Sequence, residues 1–427
     1  MINNAVMQFV DRTYLAHSSL NALEAVLPAG MLMWIFAGFF QSVVGYSSVL
    51  VGQYYGAGMR EKCRETYHVA MAFAVVFGIL SLPLVPFGNW ILTLTASSER
   101  LLADEKSYFS VLMLGAFAVY VQMAAASYFT GQGRTRIVFW VNLIGNVLNV
   151  ALDPVLIFGW FGCPRLGIAG AAYATVFSMV VQCVVLVAAV WRAPDAATRI
   201  DPSDRSSVFT LLRVGVPSGL YTILNTLSFT VFVFVTGGVG SLELAVSNAC
   251  FTVNYLLFAP MEGFSIGAST LVAQAIGRGD PEGAVRDARR TLALGVGFVA
   301  LLSLAVLAFA HPILDLFASK AGASSAAFHT LGVTLLLLMA AWQLFDAADV
   351  ILSGALKGVG DTKFVMGWML FCGFILWLPL VFLIRHVHNT MPALWSTMVV
   401  YVLVICIGSF VRWHRGAWRK IRVVSPC

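Results

Sequence analysis

The sequence predicts an all-α membrane protein with twelve transmembrane helices in two six-helix bundles, related by a pseudo-twofold axis along the membrane normal. Four observations predict this fold class. Hydrophobic residues make up 59% of the chain and charged residues only 11%. Apolar stretches reach the roughly 20 residues that a helix needs to cross a bilayer. Basic residues concentrate in alternate loops, and short segments recur in both halves of the chain.

The apolar stretches are separated by glycine, proline or charged clusters along the whole chain. A transmembrane β-barrel would instead show alternating segments of about ten residues, so helices are expected. Only about ten residues precede Asp11, fewer than a span requires, and we expect that the beginning of the first helix is missing. The predicted spans are centred near residues 8, 40, 78, 118, 148, 180, 222, 260, 298, 340, 375 and 402.

The basic residues indicate how the chain is oriented. When alternate loops are assigned to one side, twenty lysines and arginines lie on that side, and Arg12 falls inside the first span. This asymmetry predicts a multi-pass protein of the cell membrane with both termini in the cytoplasm. It also accounts for the net charge of +6, so no nucleic-acid partner is expected. The opposite loops hold five basic residues, Arg100, Lys106, Arg165, Lys320 and Arg385.

Two sequence matches indicate that the chain contains a duplicated unit. SSVLVGQYYGAG at 47–58 resembles ASTLVAQAIGRG at 268–279, and TGQGRTR at 130–136 resembles KGVGDTK at 357–363. Similar offsets in the same order imply a repeated six-helix unit, with both halves crossing the membrane in the same sense. A polar, proline-containing linker separates them. The predicted domains are an N-terminal bundle at 1–197 and a C-terminal bundle at 198–427.

The sequence contains no pattern typical of catalysis or metal binding. No Ser/His/Asp, Cys/His or paired-carboxylate arrangement recurs, so an enzyme is not expected. The seven cysteines are scattered without a CxxC pair, and we interpret them as small core residues. His386 and His388 have no Cys, Asp or Glu nearby. We therefore predict no catalytic residue, no metal and no cofactor.

A polar stripe interrupts the fifth predicted span. Its members follow one another at spacings of four, three and four residues, which places them on one face of a helix. A charged group at mid-bilayer costs about 2.5–3.5 kcal/mol, so this face should point into the protein. The proline that follows would leave upstream carbonyl groups able to accept a ligand. The residues are Asn142, Asn146, Asn149 and Asp153, with Pro154 directly after them.

This stripe is interpreted as part of a cation site. Asp153, Asn149 and open carbonyl oxygens suit a hard monovalent cation or a proton. On the first span, Gln8 and Asp11 could bring a second carboxylate to the same cavity. Two nearby carboxylates rarely both ionise in a dry pocket, so the pair could exchange a proton near neutral pH. The alternative, that the amides only hold helices together, fits the upstream asparagines well.

The second half of the chain has polar residues of its own within predicted spans. They combine aromatic rings with carboxylates at helical spacing, a combination that suits an organic cation through cation–π contact and charge. The residues are Tyr221 and Asn225 on the seventh span, Glu262 on the eighth, and Trp342, Asp346 and Asp349 on the tenth.

Motifs along nearly the whole chain resemble the multidrug and toxic compound extrusion family. No single motif is decisive, but their order and spacing together are highly specific. The motifs are FVDRTYLA, LVGQYYGAG, GQGRTR, NVALDPVLIFG followed by LGIAGAAYAT, VGVPSGLYTILN, LVAQAIGRGD and LFDAADVILSGALKGVGDTK.

The resemblance implies an antiporter that exports amphipathic, often cationic drugs or toxic compounds in exchange for H⁺ or Na⁺ by alternating access. Its partners would be these small molecules and the lipid bilayer, and we expect a monomer. Asp346 matches an acidic residue of the second bundle, whereas Asn225 stands where many members have a glutamate. The resemblance therefore favours coupling through the first bundle. The family's cation site maps onto Asp11, Asn149, Asp153 and, from the GAAYAT motif, Thr175.

Three other functions were weighed against this one. A lipid-linked oligosaccharide flippase of a related fold moves an anionic pyrophosphate and should carry several arginines within its spans, where this chain has only Arg12. An intramembrane enzyme would need a nucleophile and base, or a metal cluster, at mid-depth. A receptor or scaffold would have no use for costly buried carboxylates. The antiporter is therefore the preferred hypothesis, with the flippase as the alternative.

Overall fold

A computed structural model of the protein describes residues 7, 14, 20–95, 98–193, 205–321, 325–421 and 423–424, and all regular elements in these ranges are helices. Eleven of the helical segments described are long and apolar enough to cross a membrane. They correspond to the second to twelfth predicted spans, and the first predicted span falls largely outside the described residues. The protein is thus an all-α membrane protein, as predicted.

The described residues form two compact units, within Asn3–Thr222 and Ile223–Ser425. The division falls inside a helix, after the polar linker of the sequence prediction, and the bundle limits at 197/198 stay a prediction. The helices of the first unit are α1 Leu20–Gly45, α2 Ser47–Gly56, α3 Arg60–Ser81, α4 Leu84–Thr95, α5 Glu99–Gly131, α6 Thr135–Phe158 and α7 Ile168–Trp191.

The second unit begins within α8, Arg205–Gly237, the helix that contains the division. The remaining helices are α9 Ser241–Gly277, α10 Pro281–Ala308, α11 Ala310–Ala321, α12 Ser325–Val359, α13 Thr362–Leu370, α14 Leu378–Val387 and α15 Met391–His414. A π-helical segment, Phe371–Trp377, joins α13 and α14 into one continuous span.

Each unit is organised around one central helix. In the first, α5 packs against α1, α2, α3 and α7, and in the second, α12 packs against α9, α10 and α15. Glycine allows the closest approaches: a Cβ at Gly131 would lie 2.5 Å from the Ser48 carbonyl oxygen, and one at Gly358 would lie 2.6 Å from that of Ser269. These four residues are equivalent in the two sequence repeats. The repeated segments therefore make the same helix contact in each unit.

The repeated loops also share their backbone conformation. Gly58 and Gly279 have φ of 77° and 70°, and Gly133 and Gly360 have φ of 78° and 97°. Residues with a side chain rarely adopt this left-handed region, which explains why glycine recurs at these turns. The loops are tight connections between helices.

Large apolar side chains cover the outer faces of the spans. Leu294 and Leu301 on α10 are 67% and 65% exposed, and Ile144 and Val147 on α6 are 57% and 61% exposed. Side chains of this kind are rarely gathered in large patches on soluble proteins. In a membrane protein they contact lipid, so polar side chains are left to the interior of each unit.

Candidate functional site

The polar stripe of α6 points into the first unit, as its spacing predicts. Asn149 and Asp153 are fully buried, and Asn146 is 7% exposed. Ile144 and Val147, on the opposite face of the same helix, are exposed. The Asp153 carboxylate therefore lies in the interior of a membrane-spanning helix bundle. Burying a carboxylate there costs free energy unless it has a charged or hydrogen-bonded partner.

Asn149 lies beside the residue that the family resemblance added to the site. Its Nδ2 donates to Oγ1 of Thr175 on α7 over 3.4 Å. The Thr175 hydroxyl in turn donates to the Ala171 carbonyl oxygen at 2.9 Å, one turn earlier on α7. The threonine side chain is thereby fixed, and it orients the asparagine amide one turn from Asp153. Three of the four predicted cation-site residues thus lie on two adjoining helices.

The loop between α6 and α7 keeps these two helices close together. Gly159 ends α6 in the left-handed conformation at φ 78°, and the Leu166 amide returns to the Leu156 carbonyl oxygen at 3.0 Å. A Cβ at Gly170 would lie 2.5 Å from that same carbonyl oxygen. Only glycine fits at this contact, which brings α7 against α6 next to Asp153.

The fourth predicted cation-site residue lies in a part of the chain outside the described residues. Gln8 and Asp11 belong to this part of the chain, so their roles stay predictions. Tyr14, three positions after Asp11, is described: it packs against a cluster containing Ile157 and Ala171, and its ring lies 6.3 Å from that of Phe158. Tyr14 therefore contacts the ends of α6 and α7 that flank Asp153.

Sequence reasoning missed a chain of amides near the other end of the stripe. Gln122 on α5 donates to Oε1 of Gln182 on α7 at 2.6 Å and to Oδ1 of Asn142 on α6 at 3.1 Å. Gly145 leaves the space into which the Gln182 side chain fits. Each glutamine stands alone in an apolar run, so no local pattern marks it, and only the fold brings the two together. Asn142 thus holds helices together, as the alternative interpretation expected.

Replacing Gln122 by leucine should destabilise the first unit modestly. Polar contacts between membrane helices average about 0.6 kcal/mol and reach about 1.7 kcal/mol, and this change removes two of them. We expect a lower thermal midpoint for the purified protein and largely retained transport. Gln182→Leu and the double variant complete a mutant cycle. Strictly additive losses would show that the two amides do not stabilise each other.

In the second unit, two carboxylates from different helices interact electrostatically with one lysine. Asp349 on α12 is 3% exposed and accepts a 2.6 Å hydrogen bond from the Ser409 hydroxyl on α15. Asp346 interacts electrostatically with Asp349 and with Glu262 on α9. Lys357 interacts with both Glu262 and Asp349. Asp346 is therefore close enough to interact with both of the other predicted acidic residues.

Lys357, the first residue of the KGVGDTK segment, lies in the last turn of α12 and not in the loop that follows it. A lysine stem of four methylenes reaches along a helix, which lets its ammonium approach carboxylates a turn or more away. Its charge reduces the net negative charge of the cluster. The sequence contains a signal for this interaction, because Lys357 lies about two helical turns after Asp349.

The aromatic residues predicted beside these carboxylates have different surroundings. Trp342 is only 3% exposed, and its ring packs 5.1 Å from that of Trp395 on α15. Tyr221 and Asn225 lie on α8 and are partly buried. Packing in the core accounts for Trp342, so contact of these three residues with an organic cation stays a prediction.

An open groove of about 450 Å³ runs along α6 and α7, and it contains none of the predicted site residues. Its walls are apolar, in keeping with contact to lipid chains. The lining residues are Leu152, Leu156, Tyr173, Val176, Phe177 and Val180.

Comparisons with known proteins identify the family of this chain. The profile of the MatE family matches residues 1–155 and 217–383. The chain is 24% identical over 422 residues to a probable multidrug resistance protein NorM of Thermotoga maritima, covering 97% of this chain and 89% of that one. It is 28% identical over 432 residues to the multidrug resistance protein PmpM of Pseudomonas aeruginosa, covering 97% and 88%.

Solved structures share the fold. A mutant of the Vibrio cholerae MATE transporter VcmN superposes with a TM-score of 0.87 at 17% identity, over 99% of this chain and 94% of that one. An outward-facing multidrug resistance MATE family transporter gives 0.84 at 20% identity, over 98% and 93%. The family profile covers well over half of the sequence, and the family consists of transporters rather than enzymes. The chain therefore belongs to the MatE family and is a multi-pass membrane transporter of the multidrug efflux class.

Proposed function

We propose that this transporter takes up a small cation, H⁺ or Na⁺, in exchange for each amphipathic, often cationic compound that it exports. The cation binds in the first unit, at Asp153 and Asn149 with Thr175 beside them. Asp11 supplies the second carboxylate, with Gln8 nearby. The observation that carries this proposal is the complete burial of Asp153 and Asn149 in a membrane-spanning helix.

The energetics favour a functional role over a structural one for Asp153. Amides already connect α5, α6 and α7 through Gln122, and neutral contacts of this kind are sufficient to hold membrane helices together. A carboxylate adds a cost of about 2.5–3.5 kcal/mol at mid-bilayer. A site that is filled by H⁺ or Na⁺ during each cycle removes this cost when occupied. The position of Tyr14 beside Phe158 supports a contribution from Asp11.

The acidic cluster of the second unit is proposed to bind the exported compound. Asp346, Asp349 and Glu262 attract an organic cation, and Lys357 offsets part of their charge. Asn225 occupies the position of a glutamate in many family members, which leaves this unit less suited to the coupling ion. Trp342 would contribute aromatic contact, and the contact of Tyr221 with the exported compound stays a prediction from the sequence. Coupling therefore rests on the first unit.

In the proposed alternating-access cycle, the cation and the exported compound do not bind tightly at the same time. Binding of the cation at Asp153 favours a conformation that holds the drug weakly, through a bend of the first helix or movement of the two bundles. The cation can shift the equilibrium between the two conformations by no more than the difference between its binding free energies for them. The excess of basic residues in alternate loops supports cytoplasmic termini, so that cations enter from outside and compounds leave. We propose that the monomer carries out this cycle.

The flippase alternative has weaker support. It needs cationic side chains facing a cavity, and among the described arginines Arg64 is the one that is buried, at 3% exposure. Its Nη1 donates to the Val190 carbonyl oxygen at 2.8 Å, and its guanidinium lies over the rings of Tyr67 and Tyr128. This arginine is engaged in packing near the start of α3.

Reconstitution with separate gradients tests the proposal. Purified protein in proteoliposomes should export a fluorescent organic cation when a Na⁺ gradient or a pH gradient alone is imposed, and the effective gradient identifies the coupling ion. Empty liposomes and an ionophore that collapses the gradient are the controls. Efflux that ignores both gradients would refute cation coupling. Transport of a lipid-linked pyrophosphate in the same vesicles would favour the flippase.

A further inference from the structure

Two histidines of the second unit face each other, His311 in the first turn of α11 and His329 in the second turn of α12. Nδ1 of His311 lies 3.4 Å from Nδ1 of His329, with the ring centroids 5.4 Å apart and the rings 27° from parallel. The proposed transport function uses neither residue. A hydrogen bond that involves nitrogen is normally 2.7–3.2 Å long, so 3.4 Å is long for a direct bond between the rings.

Asp315 fixes the orientation of one of these rings. Its Oδ1 lies 2.9 Å from Nε2 of His329. In the neutral imidazole this contact places the proton on Nε2, which leaves Nδ1 of His329 as an unprotonated nitrogen directed at His311. A carboxylate on the far nitrogen of a histidine is the usual outer partner of a metal-binding imidazole.

The spacing of the two nitrogens matches that of two ligands on one ion. Zinc binds imidazole nitrogen at about 2.0–2.1 Å with tetrahedral angles, which puts two such nitrogens about 3.4 Å apart. Hard ions such as Mg²⁺ and Ca²⁺ select oxygen ligands instead, so imidazoles indicate the class of Zn²⁺, Ni²⁺ or Cu²⁺. No further His, Cys, Asp or Glu completes a three-residue group within the described ranges. The remaining positions would be filled by water.

The packing around the pair holds it in place. Phe328, next to His329, is fully buried, and Leu314, next to Asp315, is 1% exposed. Leu314 also lies against Gly332, where a Cβ would approach its side chain to 2.6 Å. His329 itself has a side-chain exposure of 15%, whereas that of Asp315 is 66%. The imidazoles are thus anchored on one side and accessible on the other.

We propose that His311 and His329 form a binding site for a divalent transition metal, with Asp315 as the positioning residue. The ion would connect α11 to the beginning of α12, the helix that also carries Asp346 and Asp349. Basic-residue counting predicts that this junction faces outward, so the metal would come from the outer side. The site is independent of the proposed antiport.

Zinc binding to the purified, tag-free protein in detergent tests the proposal. Isothermal titration should give one zinc per chain, reversed by a chelator, with a higher thermal midpoint when zinc is present. His311→Ala and His329→Ala should each abolish both effects. Asp315→Asn should weaken binding by about 10–100-fold without removing it, because the ligands remain and only their orientation is lost.

The exposed pair His386 and His388 provides the matched control. Alanine at both positions should leave the stoichiometry and the shift in midpoint unchanged. Zinc retained by His311→Ala and His329→Ala, or lost with the control pair, would overturn the proposal. Midpoints measured without metal show that each variant is folded, and equal binding of Ca²⁺ would also contradict an imidazole site.

Discussion

Asp153→Asn is expected to abolish gradient-driven efflux while the protein remains folded. The amide has the shape of the carboxylate, and the position is fully buried, so packing should change little. A carboxylate and a monovalent cation about 4 Å apart attract each other by about 4 kcal/mol at an effective dielectric constant of 20. Loss of this attraction weakens Na⁺ binding by about a thousandfold, and an amide cannot take up a proton at all.

The measurement is the initial rate of organic-cation efflux from proteoliposomes under the effective gradient. Glu99→Gln is the matched control, since it also neutralises a carboxylate of the first unit but at an exposed position. Thermal midpoints and gel-filtration profiles establish that both variants fold. If Asp153→Asn exports the organic cation at the wild-type rate, Asp153 is not part of the coupling site.

Asn149→Ala and Thr175→Ala are expected to have smaller effects on the same assay. Each removes a neutral oxygen or amide, and a neutral hydrogen bond contributes about 1 kcal/mol, equivalent to roughly a fivefold change in affinity. The half-saturating cation concentration should rise while the maximal rate is largely kept. A loss as complete as that of Asp153→Asn would assign these residues a more direct role than the geometry supports.

Adding a methyl group to Gly131 or Gly358 is expected to destabilise the protein severely. The new Cβ would lie 2.5 Å from the Ser48 carbonyl oxygen or 2.6 Å from that of Ser269. These are backbone atoms that cannot rotate away, so whole helices must separate. Overpacking in a dense core costs about 1–3 kcal/mol, and a clash with backbone lies at the upper end of that range.

Gly267→Ala on α9 is the control for these two variants. A Cβ at this glycine meets nothing within 4 Å, and alanine is the better helix former by about 1 kcal/mol. We expect its thermal midpoint and membrane abundance to equal or exceed wild type, whereas Gly131→Ala and Gly358→Ala lower both. Equal midpoints for all three would show that the helices can separate without cost.

The features that could be predicted from sequence depend on composition and on helical period. The length of the apolar stretches located eleven of the spans, and the spacing of Asn146, Asn149 and Asp153 predicted a buried face. Both properties belong to a single helix, so no knowledge of neighbouring helices is needed.

The features that could not be predicted depend on partners distant in sequence. Gln122 and Gln182 are lone amides on different helices, and nothing local indicates that they meet. The helical spacing of polar residues predicted Asp349 as a site residue, but it did not predict the contact of Asp349 with Ser409 on another helix. The pairing of Thr175 with Asn149 came from the family resemblance and not from spacing. Contacts between helices can be identified only when the packing of the helices is known.

The Gln122–Gln182 and Asp349–Ser409 contacts occupy equivalent positions in the two sequence repeats. Asp349 and Ser409 lie 227 residues after Gln122 and Gln182, respectively, the same offset that relates TGQGRTR to KGVGDTK. The same position thus holds an electrically neutral pair in the first unit and an ionisable pair in the second. A chimaera built from two copies of either half would therefore lack one of these two contacts, and with it either the neutral or the ionisable pair.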